Sequence, residues 1–349
     1  MDDVLDIGCR RELFVDDELV ERFEGSARLK LNPPIRREVV FQVQPPLENA
    51  CSGVYSVLVE HDGKLMLYYR GNYPIDSSGG DGSVAQTANV AFSGDGVHFE
   101  RPDLGVVDLG DGGANNIVWQ GVQAHNLVPF RDDNPACPDE QRFKAVGGAG
   151  HRKLYGLVSP DGLHWTLVQD EPLDIDGAFD SANVPMWDAR AGVYRLFSRY
   201  FVDEGGKHYR AIQSCTSEDF VNWTDPVPHL YEPGVPREEF YTNATVQCPG
   251  AEHLFLSFPM RYVIERQPPV DTTGMDYPAN PGNAGMTDAV MMSSRDGIHW
   301  KRPFLEAWLR AGLDRRNWTH RNQTPAIGIV QSDDTEWSMY VSEHYGWSD

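Results

Sequence analysis

Four copies of one seven-residue pattern recur along the chain: Ser93-Gly-Asp-Gly-Val-His-Phe99, Ser159-Pro-Asp-Gly-Leu-His-Trp165, Ser217-Glu-Asp-Phe-Val-Asn-Trp223 and Ser294-Arg-Asp-Gly-Ile-His-Trp300. Internal repetition of this kind constrains a fold more than any local propensity, because every copy has to be built in the same way. An alternating run such as Asn89-Val-Ala-Phe92 leads into the pattern. Gly at the fourth position permits the φ > 0 of a tight turn, and Asp at the third can accept hydrogen bonds from backbone N–H groups within it. Each copy therefore reads as a β-hairpin corner whose aromatic residue starts a new strand and packs between neighbouring sheets. The aromatic positions lie 66, 58 and 77 residues apart, longer than one hairpin and matched to a four-stranded sheet with loops.

A second recurrent element sits inside these intervals: an apolar strand, a short polar turn and an aromatic-rich strand. It is visible at residues 54–70 turning at His61-Asp-Gly63, at 183–199 turning near Asp188 to Gly192, at 244–258 and at 325–341. Leu127-Val-Pro-Phe130 followed by Arg142-Phe-Lys-Ala-Val146 makes a further copy with an inserted loop, so five exist. Gly and Pro punctuate the chain, and Glu306-Ala-Trp-Leu-Arg-Ala311 is the one good candidate for a short helix. These features predict an all-β fold, a five-bladed β-propeller spanning residues 1–349 as a single domain. The run Glu12-Leu-Phe-Val15 is expected to pair with the last blade and close the ring, which would remove exposed sheet edges.

A chain of 349 residues suits one large closed β fold, and 40% hydrophobic with 11% aromatic residues can fill its core. The net charge of -22 repels nucleic-acid phosphates and anionic membranes, so neither is expected as a partner. The N-terminus starts with acidic residues and no run of eighteen apolar residues follows, which predicts neither export nor membrane spanning. Cys9, Cys51, Cys137, Cys215 and Cys248 are odd in number and form no C-x-x-C pair, which suits reduced thiols in a cytoplasmic protein. Assembly into a homo-oligomer stays open. No G-x-x-x-x-G-K, G-x-S-x-G or Rossmann fingerprint occurs.

In a propeller the first strand of each blade lines a central funnel, so polar residues just before these strands share one cavity. Glu48, Asp180 and Glu239 each stand at the head of an inner strand in a different blade. Converging carboxylates are what glycoside hydrolysis requires, one protonated to assist the leaving oxygen and one ionised to act on the anomeric carbon or its attacking water. Crowding is expected to push at least one of their pKa values upward. Glu238 adjoins Glu239, and the pattern does not say which faces inward. His125, Asn126, Asp133, Asn183, Tyr241, Arg321, Glu343 and His344 are the expected substrate-binding or orienting groups. Glu48, Asp180 and Glu239 each also have a plain structural reading as a turn former or surface residue, and Asp16, Asp17, Asp132 and Asp133 are read mainly as turn or loop residues. His125, His320 and His344 lack metal-site spacing, so no metal or other cofactor is expected. Trp318, Trp347 and Tyr241 are candidates to stack on sugar rings.

Several segments resemble a known group, the five-bladed propeller glycosidases of the arabinanase, levansucrase and invertase type. Phe130-Arg-Asp132 resembles the Arg-Asp element of the invertase type, and Ser294-Arg-Asp-Gly-Ile-His-Trp-Lys-Arg-Pro303 is similar to hairpins of bacterial members. Leu13-Phe-Val-Asp-Asp17 and Gly113-Ala-Asn-Asn-Ile-Val118 also resemble segments of such propellers. The W-x-N-D-P-N-G opening and the E-C motif are missing, and Asp133 stands where the Arg-Asp element has Pro. The resemblance thus implies glycosidase chemistry on a small carbohydrate substrate without fixing a fructosyl one. The repeated hairpins also resemble those of sialidases, which are six-bladed. Five inner hairpins and the lack of an F-R-I-P segment set this chain apart from them. A non-catalytic propeller binding a carbohydrate or protein through the same funnel is the competing expectation.

Overall fold

Each alternating run bounded by Gly or Asp becomes a strand, and consecutive runs pair as meanders. The computed structural model describes residues 6–44, 48–49, 51–72, 86–110, 112–149, 152–269, 271–276 and 285–347. The first sheet contains β1 (Val57–His61), β2 (Lys64–Asn72), β3 (Gln86–Ser93) and β4 (Ile117–Gln120) in chain order. The second contains β5 (Val128–Arg131), β6 (Phe143–Gly147), β7 (Tyr155–Ser159) and β8 (Thr166–Leu167). The third contains β9 (Val184–Asp188), β10 (Val193–Glu204), β11 (Lys207–Ser217) and β12 (Val227–Pro228).

The chain then forms β13 (Leu230–Tyr231), β14 (Glu239–Thr242), β15 (Thr245–Cys248), β16 (Ala251–Ser257), β17 (Met260–Val263), β18 (Met286–Ala289), β19 (Met292–Ser294) and β20 (His299–Lys301). Strands β15, β16, β19 and β20 make the fourth meander, which β13 joins in parallel at its outer edge, and β14, β17 and β18 form a separate three-stranded sheet. Last come β21 (Thr324–Pro325), β22 (Val330–Gln331), β23 (Trp337–Ser338) and β24 (Val341–Ser342), two nested pairs that form one interrupted hairpin. All five inner hairpins expected from the sequence are present. The β1–β2 turn carries Asp62 at φ 50° and Gly63 at φ 70°, the mirror-image geometry that matches strand twist.

Among the described residues there is no α-helix, only three-residue 3-10 turns, and no helix is long and apolar enough to cross a membrane. The helix expected over Glu306–Ala311 does not form. Leu309 makes a β-bridge with Ala289 instead, and Trp308 packs on Phe258 with ring centroids 4.6 Å apart.

The four repeats share one set of bonds. In the second copy, Ser159 Oγ donates to Asp161 Oδ1 and accepts from Gly162 N at 2.9 Å, and Asp161 Oδ1 accepts from the backbone N–H of Leu163 and His164, each at 2.8 Å. The same bonds recur around Asp95, Asp219 and Asp296. His98, His164 and His299 bond the second oxygen of their own Asp, so these histidines belong to the turn. Each turn also docks on the preceding sheet. Tyr68 of β2 donates to Gly162 O at 2.9 Å, Ser214 of β11 to Gly297 O at 3.0 Å, and Tyr340 of the last hairpin to Gly96 O at 2.8 Å. In the third copy Phe220 replaces Gly at φ 67°, and its ring is buried against Phe130 of the second sheet and against Tyr194. The last hairpin further meets the first sheet through a parallel bridge between Ile327 and Val57.

The N-terminal run corrects one expectation. Glu12 to Val15 form no strand and lie against the fourth sheet rather than the last hairpin: Ser293 Oγ donates to Val15 O at 2.9 Å, and Arg295 binds Glu12 and Asp16. The reason is charge. Burial pushes the Glu12 carboxyl up, but Arg295 and His253 of the fourth sheet, with Arg10 beside it, outweigh burial and hold the pKa at about 2, so ion pairs fix the segment on the fourth sheet. Asp17 is engaged by Lys301 at 3.1 Å.

Acid sensitivity follows from the repeats. Burial raises the Asp161 and Asp296 pKa values, whereas at Asp219 the bond from Asn222 N leads; turn hydrogen bonds win in all three and hold them at about 2, below the ordinary 3.8. A carboxylate depressed by folding contributes its stability above the unfolded value and loses it as pH falls through the folded one. The urea midpoint is therefore expected to drop between about pH 4 and pH 2, and Asp296→Ala to cost about 1–2 kcal/mol at neutral pH by equilibrium unfolding.

Candidate active site

One cavity of about 520 Å³ is lined by residues of β1, β5, β9 and β15 together with Ile327 and Gly328. It extends toward the C-terminal ends of these strands, where His61, Asp62, Arg131 and Asp133 surround it. The chemistry gathers at the other end, in residues just before the strands begin.

Asp180, four residues before β9, is the carboxylate at that mouth. Its Oδ1 lies 2.9 Å from His125 Nε2, and His125 Nδ1 meets Gln86 Oε1 at 2.5 Å. Solvent reaches 60% of the Asp180 side chain, and the protein atoms around it strip part of the carboxylate's hydration. That desolvation pushes its pKa up, but the hydrogen bond from His125 and the positive charges of His125, Arg199 and Arg321 outweigh it and hold the carboxyl below its ordinary value. The expectation of an upshifted carboxyl is thus reversed at Asp180.

Tyr241 organises the surrounding cations. The guanidinium carbons of Arg199, Arg210 and Arg321 lie 5.4, 5.1 and 5.6 Å from its ring centroid. Arg321 donates to Tyr345 Oη at 2.7 Å. His320 lies between the Tyr241 and Tyr262 rings, and burial, reinforced by Arg321 and Arg210, pushes its pKa to about 2, so the imidazole is neutral. Tyr55 is buried close enough for Arg321, Tyr241 and Asp180 to act on its hydroxyl, which burial drives well above its ordinary value.

The other expected residues divide. Glu239 faces this cluster, accepting from Arg210 Nη1 at 2.6 Å, whereas Glu238 binds Arg261 and Arg302. Asn126 accepts from Arg70 at 3.2 Å, and its buried Nδ2 has no partner. Asn183 spends its amide on the Phe179 and Ser181 carbonyls, shaping the loop that carries Asp180. Arg321 stands in the cluster. Glu48 does not join it: the side chain is buried, its oxygens taking Tyr69 Oη at 2.5 Å, Arg101 at 2.9 and 2.8 Å, and Gln44 N at 2.6 Å. Asp133 pairs with Arg131 at the far end of the cavity. Glu343 binds Arg36 and Gln323, and His344 binds Asp314 at 2.7 Å. Asp132 is fully buried between Lys144 and Tyr194. Trp318 Nε1 donates to Gly312 O.

Backbone strain is concentrated at this end. Tyr55, Asn126, Arg321 and Gln323 all have positive φ, between 51° and 66°. Such conformations cost about 1–3 kcal/mol each and cluster at functional sites.

Arg70 and Arg199 were not among the expected residues, although a signal for them exists. Tyr68 pairs with Val57 and Phe197 with Val184, so the residue two further on each return strand comes back beside the head of the inner strand. In both hairpins that residue is Arg. Among the described residues no group of three or more His, Cys, Asp or Glu side chains could hold a metal ion.

No protein-family model matches the sequence, and no curated protein matches it. Solved structures do match in fold. A glycosyl hydrolase from Bacteroides ovatus is similar at TM-score 0.51 and 14% identity, covering 92% of both chains. A protein provisionally assigned as a glycoside hydrolase from Parabacteroides distasonis is similar at TM-score 0.50 and 13% identity, covering 91% of this chain and 94% of its own. At these identities the likeness is one of fold, and it runs through nearly the whole chain.

The surroundings of Glu48 generate a test. Removing one partner of a buried ion pair strands the other charge, so Glu48→Ala is expected to destabilise the protein by about 3 kcal/mol, read by urea unfolding. A loss below about 0.5 kcal/mol would contradict the structural role these bonds imply.

Proposed function

We propose that the chain is a five-bladed β-propeller glycoside hydrolase of the cytoplasm, acting on a small oligosaccharide or glycoside held at the mouth beside Asp180. The ring reading is supported by five inner strands or strand heads around one cavity, and by the contacts of Tyr340 and Ile327 with the first sheet. The observation that carries the function is Asp180 itself, a solvent-facing carboxylate bonded to His125 and held ionised by His125, Arg199 and Arg321.

An ionised carboxylate suits attack on an anomeric carbon, or activation of the water that attacks it. His125 is within hydrogen-bond reach of Asp180 and is the group placed to hold a proton beside it and deliver it to a leaving oxygen. Glu239 holds Arg210, and Arg210 and Arg321 flank the Tyr241 ring, so these residues position substrate. Glu48 is assigned to holding the 40s segment.

A screen of chromogenic glycosides with purified protein tests this reading. On any glycoside that is cleaved, Asp180→Asn is expected to lower kcat by roughly 10³-fold with the fold intact. Because the Asp180 carboxyl lies below 3.8, the acid limb of the pH profile should fall below about pH 4. Wild-type turnover by Asp180→Asn would remove Asp180 from the chemistry.

The cytoplasmic assignment has its own check. No two of the five cysteines are joined. Thiol titration of protein denatured without reductant should count all five, and a count of one would overturn it.

A further inference from the structure

Five arginines among the described residues are buried: Arg70, Arg195, Arg199, Arg261 and Arg302. Three of them have carboxylate partners. Arg195 binds Asp188 through two nitrogens, Arg261 binds Asp288 and Glu238, and Arg302 binds Glu238. Arg70 and Arg199 have no ion pair with a carboxylate among the described residues, and both stand at the mouth.

The Arg70 guanidinium reaches Asn126 Oδ1 at 3.2 Å and the Cys51 carbonyl at 2.9 Å, which leaves its buried Nε without a partner. Among the described residues no hydrogen bond reaches the guanidinium of Arg199, which is 5% exposed; it is held between the rings of Phe201 and Tyr241, at 5.2 and 5.4 Å, and its buried Nε is unpartnered. A buried guanidinium without an anion is costly, and elsewhere in this chain the cost is offset by a carboxylate. At the mouth no described carboxylate closes an ion pair with either guanidinium, and Asp180, the one that feels the Arg199 charge, is bonded to His125, which leaves both open to an anion carried by a ligand. The Arg199 charge acts on Asp180, and Arg70 lies 6.0 Å from the Tyr55 ring, so both belong to the cluster around Asp180 to which substrate is assigned.

We infer that the sugar bound beside Asp180 carries a carboxylate, as in a uronic acid or uronide, and that Arg199, with Arg70, is its counter-charge. This rests on the reading of the mouth as a sugar site. A planar guanidinium presents paired N–H groups to a carboxylate, a geometry that a neutral hydroxymethyl group does not use. The aromatic faces of Tyr55 and Tyr241 suit the apolar face of a sugar ring, and Asp180 accepts from its hydroxyls, whereas an inorganic anion would use neither. Because the whole chain carries a net charge of -22, an acidic ligand is favoured only where local cations outweigh that field.

Calorimetric titration tests this without any turnover. D-galacturonate and D-glucuronate are compared with D-galactose and D-glucose, with inorganic phosphate as a further arm, on wild-type protein, Arg199→Gln and Arg199→Lys, and with exposed Arg22→Gln as control. At least one uronate should bind tenfold or more tightly than its neutral counterpart. Arg199→Gln should weaken that uronate tenfold or more and the neutral sugar far less, so that the preference for the uronate collapses, and Arg199→Lys should fall between. Equal binding of neutral sugars, no uronate binding, or phosphate binding more tightly than the uronate overturns the inference, as does a folded Arg199→Gln that binds uronate like wild type. Should Arg199→Gln not fold, the wild-type comparison and Arg199→Lys decide. Uronate binding with no glycoside cleaved sinks the hydrolase reading alone; cleavage of neutral glycosides without uronate preference sinks this one alone.

Discussion

A single carboxylate oxygen accepting two turn N–H groups is the interaction on which the rest of this molecule depends. Asp95, Asp161, Asp219 and Asp296 each close the turn that ends the third strand of a sheet. With its own donors satisfied, the turn exposes the carbonyl of its fourth residue. That carbonyl is what Tyr68, Ser214 and Tyr340 seize from the preceding sheet. The repeat thus does two jobs at once, turning the chain and docking one sheet on the next. The third copy shows what happens without Gly: Phe220 accepts a positive φ, and aromatic packing replaces the carbonyl contact.

Much of this was legible in the sequence because turn chemistry is local. Asp-Gly at the β1–β2 turn and Ser-x-Asp-Gly in the repeats specify geometry from a few adjacent residues, so hairpins and sheets could be placed. The N-terminal run was misplaced for the opposite reason. Leu13, Phe14 and Val15 read as a strand looking for an edge, but their position is decided by Glu12 and Asp16 meeting Arg295, a contact across 279 to 283 residues that no local pattern encodes.

The site was legible in part, and the division has one physical cause. Inner-strand heads can be located by pattern, which found Asp180, His125, Tyr241 and Arg321. The direction of a side chain in a loop before a strand is not periodic. Glu48 and Glu239 looked alike in sequence, yet one is consumed by Arg101 and Tyr69 and the other faces Arg210. Arg70 and Arg199 were readable in principle, because antiparallel register returns the end of the second strand to the head of the first.

That register also explains why function and strain share one end of the molecule. Inner strands that start together bring the loops before them to one end, and in the first and third sheets the return strand delivers a second residue beside the head of the inner strand. Where the deliveries are Arg70 and Arg199, two cations arrive that the backbone has already fixed, next to Tyr55 and Asn126 at positive φ. Satisfying those cations from within would require a carboxylate at a neighbouring loop end. Asp180 is the one that acts with Arg199, and it is drawn toward His125 at 2.9 Å instead. The mouth therefore keeps positive charge beside an ionised carboxylate, on sheets that the repeated turns dock against one another.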